Sequence, residues 1–250
     1  MIIKAYSKVN LIMNIKGKRP DGYHEVETLM QSFEPYDDVE VNCSEGSGIG
    51  ISVSKNRLSN RQNLAYRAAE AMLSEFGKNC HIDISIEKRI PVAAGLGGGS
   101  ADAAAVIAAL AEIWEIDDME RLLKIGSGLG SDVPFCIASC FGHKAAIGRG
   151  RGDILEYVEP VDMRIEITRL NYHIKDKTKT VYGELKPEDY ARQYDIDAFL
   201  KAPTIEEKEA LMGNHLQAPA FRVFAAAGYV LPKEPVHLSG AGPAIFKIVK

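Results

Sequence analysis

The feature of this 250-residue sequence that most restricts its folding is a strand, a glycine loop and a helix in direct succession. Ile82, Ile84 and Ile86 alternate with Asp83, Ser85 and Glu87, the pattern of a half-buried strand. Lys88-Arg89-Ile90-Pro91 leads from it into Ala94-Gly95-Leu96-Gly97-Gly98-Gly99-Ser100. The alanine-rich residues 101–114 then read as a helix with Ser100 as N-cap. A tight strand-to-helix turn needs one glycine or two, and this loop holds more. Adjacent glycines let several backbone N–H groups face one concavity, and the helix start adds unpaired N–H groups and the positive end of its dipole. Phosphate is therefore the expected guest, with a plain tight turn as the alternative. Half of the 22 glycines fall between residues 95 and 152, so close backbone approach to a ligand is expected there rather than in the second half. The familiar phosphate signatures do not fit: no Gly-Lys-Ser/Thr triplet occurs, Ser100 stands where GxGxxG needs its third glycine, and the HRD and DFG triplets of protein kinases are missing.

Periodicity and turn signals supply the rest of the map. Residues 8–15 read as extended and 16–22 as a loop, Ile49, Ile51 and Val53 suggest a strand, and residues 63–76 carry apolar groups at helical spacing. A helix is expected over 118–125 and a loop over 126–132. Further on, 164–168 reads as a strand, 205–212 and 216–227 as helices, and 236–238 and 245–249 as strands joined by Ser239-Gly240-Ala241-Gly242-Pro243. Strands and helices mix without the regular alternation of a doubly wound sheet, which predicts an α+β protein of two parts, residues 1–158 and 159–250.

Composition narrows the function classes. A formal net charge of −4 gives no electrostatic reason to expect nucleic acid or an anionic membrane as partner. The most apolar run, residues 103–111, is bounded by Asp102 and Glu112 and falls well short of the ~20 residues of a membrane span. The N-terminus reads as a strand and not as a signal peptide. Cys43, Cys80, Cys136 and Cys140 include no CxxC pair, and Cys136 with Cys140 reads as two thiols on one helical face rather than a metal half-site. A reducing cytoplasm is the expected setting.

Three ordered strings then carry a resemblance. Pro91-Val92-Ala93-Ala94-Gly95-Leu96-Gly97-Gly98-Gly99-Ser100-Ala101 resembles the ATP-binding motif of the GHMP kinases, the small-molecule kinases that include galactokinase, homoserine kinase and mevalonate kinase. Ala5-Tyr6-Ser7-Lys8-Val9-Asn10-Leu11 resembles the family's first motif, and Leu238-Ser239-Gly240-Ala241-Gly242-Pro243-Ala244-Ile245-Phe246 its third. The fold implied is the two-domain α+β GHMP kinase fold, with an N-terminal part like ribosomal S5 domain 2 and a ferredoxin-like C-terminal part. Asp21-Gly22-Tyr23-His24-Glu25 is similar to a string found in the branch whose alcohol substrate carries a cytidine diphosphate group and leads to isoprenoid precursors. Gly130-Ser131-Asp132-Val133-Pro134-Phe135 resembles the segment bearing that branch's catalytic aspartate. The similarity fades between residues 169 and 238, where only Thr178-Lys179-Thr180-Val181-Tyr182 and Gly213-Asn214-His215-Leu216 look familiar.

What the resemblance implies is an ATP- and Mg²⁺-dependent kinase. A hydroxyl attacking a γ-phosphate must lose its proton to a nearby group, a role that falls to Asp132, with Lys8 keeping that carboxylate ionised or stabilising charge on the transferred group. Outside the motifs, Asp132 reads as a turn or N-cap residue and Lys8 as one solvated lysine among many. Ser100 caps the helix, ligates Mg²⁺, or does both. Asn10 and Asp102 support the substrate and the loop, or are structural. Tyr23, His24 and Tyr182 suit a cytosine, since aromatic faces stack on bases. Gly240-Ala241-Gly242 closes the wall near the phosphates or is a hairpin connection, and Gly148-Arg149-Gly150-Arg151-Gly152 contacts phosphate or is a solvated turn. The rivals are another GHMP kinase of homoserine or mevalonate type and a non-catalytic sensor of the same fold.

Overall fold

Two long strands set the frame. In the computed structural model, which describes residues 1–249, β1 (Ile2–Lys18) and β2 (His24–Ser44) pair antiparallel from Ile2↔Glu40 to Lys18↔His24. The turn signals at 16–22 therefore mark the tip of this hairpin, and β1 joins the N-terminal strand and the extended segment read from the sequence and runs three residues beyond them. β2 also pairs with β4 (His81–Glu87), whose isoleucines Ile82, Ile84 and Ile86 are buried as their alternation predicts. β3 (Gly48–Val53) adds in parallel beyond β4, and β5 (Ala145–Arg149) and β6 (Ile154–Tyr157) form a hairpin on the other part of β2. β7 (Arg164–Arg169), β9 (His237–Leu238) and β10 (Ala244–Val249) make a separate three-stranded antiparallel sheet. β8 (Gly213–Asn214) pairs in parallel with β1, so the later half of the chain also contributes to the first sheet.

Helices cover one face. α1 (Leu64–Phe76) opens with the Asn63 carboxamide accepting from the Ala65 N–H at 2.9 Å and closes on Gly77 in the left-handed region, a cap that asks for glycine. α2 (Gly98–Ile113) is buried from Ala101 to Ala111 without interruption. A helix apolar all round belongs in the interior, and its alanines let α1, α4 (Val133–Cys140) and β1 pack close against it. α3 (Met119–Leu129) is capped by Asp118, which accepts from the Arg121 N–H at 3.0 Å.

Two local expectations are corrected. Residues 126–129 are not a loop, because α3 continues to Leu129. A Cβ on Gly126 would meet Ile137 Cδ1 at 2.6 Å, so this glycine lets α3 lie against α4. Ser100 is not an N-cap: α2 begins at Gly98, and the cap position falls to Gly97 in the left-handed region with no side-chain capping bond. In the later half, α5 (Lys177–Gly183), α6 (Ile196–Lys201), α7 (Ile205–Leu211) and α8 (Gln217–Ala226) connect the strands, and Met13, Ile15 and Val26 of the long hairpin share a second apolar cluster with Val181, Leu216 and Phe224.

Candidate active site

β1 is buried on almost every residue from Ala5 to Ile15, so a lysine on it needs partners. Lys8 finds them: its Nζ donates to Asn10 Oδ1 at 2.9 Å and lies 3.2 Å from Asp132 Oδ2. Its side chain is 4% exposed and that of Asp132 37%, so the lysine approaches from inside while the carboxylate faces the cleft. Asp132 sits at the cap position of α4 yet makes no capping bond, which leaves its oxygens to Lys8 and to whatever enters the cleft. The turn reading is right for its backbone and wrong for its side chain.

The glycine loop passes directly over Lys8. The Lys8 N–H donates to the Leu96 carbonyl at 2.9 Å, and a Cβ on Gly97 would meet Lys8 Cγ at 3.0 Å, so glycine lets the lysine stem pass. Positive φ recurs at Ala93 (56°), Gly95 (86°) and Gly97 (70°) but not at the residues between them. Left-handed residues alternating in this way turn successive N–H groups toward one concavity. Among the described residues, the N–H groups of Gly95, Gly97, Gly98 and Gly99 donate to no protein acceptor. A cradle of free donors at the start of a buried helix can take an anion such as a phosphate.

The C-terminal glycine turn is the lid of this cradle. Ser239 Oγ donates to the Gly95 carbonyl at 2.9 Å, the Ala244 N–H to the Ala94 carbonyl at 2.8 Å, and the Gly240 N–H to Asn10 Oδ1 at 3.1 Å. Asn10 thus ties Lys8, the turn and, through Nδ2 donating to Thr28 Oγ1 at 2.8 Å, the neighbouring strand. Asn214 of β8 holds the same turn by donating to the Leu238 and Gly240 carbonyls, at 2.9 and 2.8 Å. His215 is structural, accepting from the Ile15 N–H at 2.8 Å.

Asp102 faces away from the cleft. It joins Asp37 around the buried Lys88, whose Nζ lies 2.5 Å from Asp37 Oδ2 and 2.7 Å from Asp102 Oδ2. Asp37 also accepts from the N–H groups of Arg89 and Ile90, at 2.6 and 2.8 Å, pinning the approach to the glycine loop from below. Asp102 Oδ1 is buried without a partner, and burial, reinforced by Asp37 and opposed by Lys88, raises its carboxyl to about 7. Nothing in the spacing of Asp37, Lys88 and Asp102 marks this triad in the sequence.

The hairpin tip stands beside the cleft. The His24 and Tyr182 rings lie 5.0 Å apart, and Tyr23 is exposed with the Arg151 guanidinium 5.4 Å from its ring centre. Burial, with Lys18 adding, lowers the His24 imidazole and so favours its neutral form. Burial pushes the Tyr182 phenol well up, and the charge of Asp132 adds to this, so the ring and the carboxylate belong to one neighbourhood. The Gly148–Gly152 run is a tight turn between β5 and β6: the Val26 N–H donates to the Gly150 carbonyl at 2.8 Å, and the Gly150 N–H to Glu25 at 3.2 Å. Arg149 pairs with Glu156 and Arg151 with Asp153, both at 2.6 Å, so these charges are already compensated and the run braces the hairpin tip. Lys177 and Arg169 also reach this region. The sequence marks neither, apart from the adjacency of Lys177 to the familiar Thr178–Tyr182 string.

Residues 63–140 match the GHMP kinases N terminal domain. A 4-diphosphocytidyl-2-C-methyl-D-erythritol kinase of Exiguobacterium sibiricum is 34% identical, with 100% of this chain and 89% of that protein covered. A crystal structure of 4-(cytidine 5'-diphospho)-2C-methyl-D-erythritol kinase superposes with a TM-score of 0.83 at 33% identity, covering 100% of this chain and 90% of that one. The Methanococcus jannaschii mevalonate kinase superposes with a TM-score of 0.68 at 15% identity over 100% of this chain and 90% of that one, a likeness of fold alone.

Proposed function

The chain belongs to the 4-diphosphocytidyl-2-C-methyl-D-erythritol kinases within the GHMP kinase family, and on that premise we propose that it transfers the γ-phosphate of ATP to the 2-hydroxyl of 4-diphosphocytidyl-2-C-methyl-D-erythritol. The observation that carries the mechanism is the Lys8–Asp132 pair, 3.2 Å apart, beside a loop of unpaired N–H groups.

In this reading the substrate hydroxyl oxygen attacks the γ-phosphorus as its proton passes to Asp132, and ADP leaves with the oxygen that bridged the β- and γ-phosphates. Lys8 holds Asp132 as a carboxylate and offers positive charge to the transferring group. Gly95, Gly97, Gly98 and Gly99 orient the phosphates by backbone donation, and the turn at Gly240 keeps water from that side. His24 and Tyr182 hold the cytosine with Tyr23 at the rim, Asn10 keeps Lys8 aimed, and Asp102 acts on the loop from beneath. Residues 1–158 carry the cradle and the base, and the later part contributes Tyr182 and the closing turn.

Ser100 fits a Mg²⁺ ion held mainly by ATP oxygens and water: its hydroxyl, in the first turn of α2, makes no hydrogen bond within the described protein. The ion would neutralise charge developing on the phosphates. Four free thiols agree with a cytoplasmic setting.

The test is ADP release across a panel of alcohols with and without the cytidine diphosphate group, run on wild type and Asp132→Asn. Turnover is expected only with the cytidylylated alcohol, and the variant is expected to lose roughly 10²- to 10⁴-fold in kcat with ATP affinity nearly unchanged. Comparable rates with homoserine or mevalonate would refute the substrate assignment. Near-normal turnover of Asp132→Asn would remove it from the role of base.

A further inference from the structure

Lys177 opens α5 and reaches across the cleft, where its Nζ donates to the Ala93 carbonyl at 3.2 Å. That carbonyl belongs to the left-handed residue at the start of the glycine cradle. The other charges facing Lys177 are Lys8 from β1 and Arg169 from the end of β7, and both repel it. Among the described residues, neither Lys177 nor Arg169 pairs with a carboxylate, and Asp132 is engaged by Lys8. Arg169 Nε is buried with no hydrogen-bond partner. Three cations therefore lie within electrostatic reach beside the cradle, and only Lys8 among them is paired with a carboxylate. Burial, followed by the charges of Lys8 and Arg169, lowers the Lys177 ammonium from 10.5 to about 8. A carbonyl dipole cannot balance that repulsion; a dianionic group can.

We infer that Lys177, backed by Arg169, is a phosphate-binding group that closes the open end of the glycine cradle opposite Lys8. The inference rests on the kinase reading for the identity of its phosphates, which come either from ATP or from the diphosphate of the cytidylylated alcohol. The unpaired loop N–H groups at Gly95 and Gly97 follow within four residues of the Ala93 carbonyl that Lys177 touches, which favours the end of the ATP chain. A lysine here supplies a compact charge without the planar fork of arginine, as suits a group that must follow a moving phosphoryl.

Calorimetric titration of ATP, ADP and CDP into the full chain tests this with wild type, Lys177→Met and Lys177→Arg. Lys177→Met is expected to weaken ATP binding roughly 10- to 100-fold, the worth of a charge-assisted hydrogen bond, with Lys177→Arg recovering most of the loss. A smaller loss for ADP would place the contact on the γ-phosphate. A loss confined to CDP would keep the phosphate role and assign it to the alcohol's diphosphate. Affinities for all three ligands within about twofold of wild type, or a loss as large in Lys177→Arg as in Lys177→Met, would overturn the inference. The kinase reading fails by a different result, wild-type protein that releases no ADP with the cytidylylated alcohol, and the titrations are independent of that outcome.

Discussion

Replacing Gly95 by alanine tests whether the cradle and its lid are one unit. Gly95 has φ +86°, and a Cβ there would stand 2.9 Å from the Gly242 carbonyl oxygen and closer still to that of Ser239. Both obstacles are backbone, so no side-chain rotation relieves them. The left-handed conformation costs a residue with a Cβ about 1–2 kcal/mol, and overpacking a fitted contact costs about 1–3 kcal/mol more. The sum of about 2–5 kcal/mol corresponds to a fall in Tm of roughly 4–20 °C for a chain of this length. Gly99 is the internal control: its φ is helical, and its Cβ would stand 3.7 Å from Leu64 Cδ1, an ordinary contact. Gly99→Ala is expected to hold or raise Tm, since alanine favours a helix by about 0.5–1 kcal/mol over glycine. Thermal unfolding and ATP titration of the two variants side by side make the assay, with loss of affinity expected alongside loss of Tm in Gly95→Ala alone. The reasoning is refuted if Gly95→Ala melts within about 2 °C of wild type, or if Gly99→Ala falls as far.

Two further outcomes follow from the buried groups. The Asp102 carboxyl is raised from 3.8 to about 7, so between those values the native state keeps a proton that the unfolded chain has released, and the associated stability is present at low pH and lost as pH climbs toward 7. Asp102→Asn, which does not titrate, is expected to flatten that decline, so that its Tm relative to wild type rises from pH 4 to pH 7; parallel curves would contradict the assignment. Tyr182→Ala is expected to raise KM for the cytidylylated alcohol roughly 5- to 100-fold, the worth of one base stacked on an aromatic ring, with ATP affinity little changed. An unaltered KM in a variant that melts normally would exclude the ring from base recognition.

The sequence made the glycine loop, the alternating strand before it and the buried helix after it legible because each is a local pattern. The Ala101–Ala111 run has little choice but the interior, and the isoleucines of β4 alternate without a break. Errors arose where tertiary contact overrode a local preference. Gly126 reads as a loop residue by propensity, yet its missing side chain is what admits Ile137 of the next helix. Ser100 reads as a cap until the left-handed Gly97 takes that position, three residues ahead of the one that composition suggests. Asp132 and Lys8 lie far apart in the chain, so neither stands out without the motifs, and they meet because the start of α4 packs against β1. Lys177 has only its adjacency to the Thr178–Tyr182 string as a signal, because what distinguishes it is the company of two other cations and not a pattern of its own.

The bond between the Gly240 N–H and Asn10 spans 230 positions of the chain. During synthesis the long hairpin, the glycine loop and the turn bearing Asp132 emerge well before residues 238–244, so a ribosome-bound intermediate holds Lys8 and Asp132 while one wall of the loop is missing. Closing so wide a loop is an entropic cost met late, after the local helices and hairpins have formed. The final antiparallel strand therefore works as a latch. Nucleotide affinity in a growing chain is expected to rise as this latch arrives.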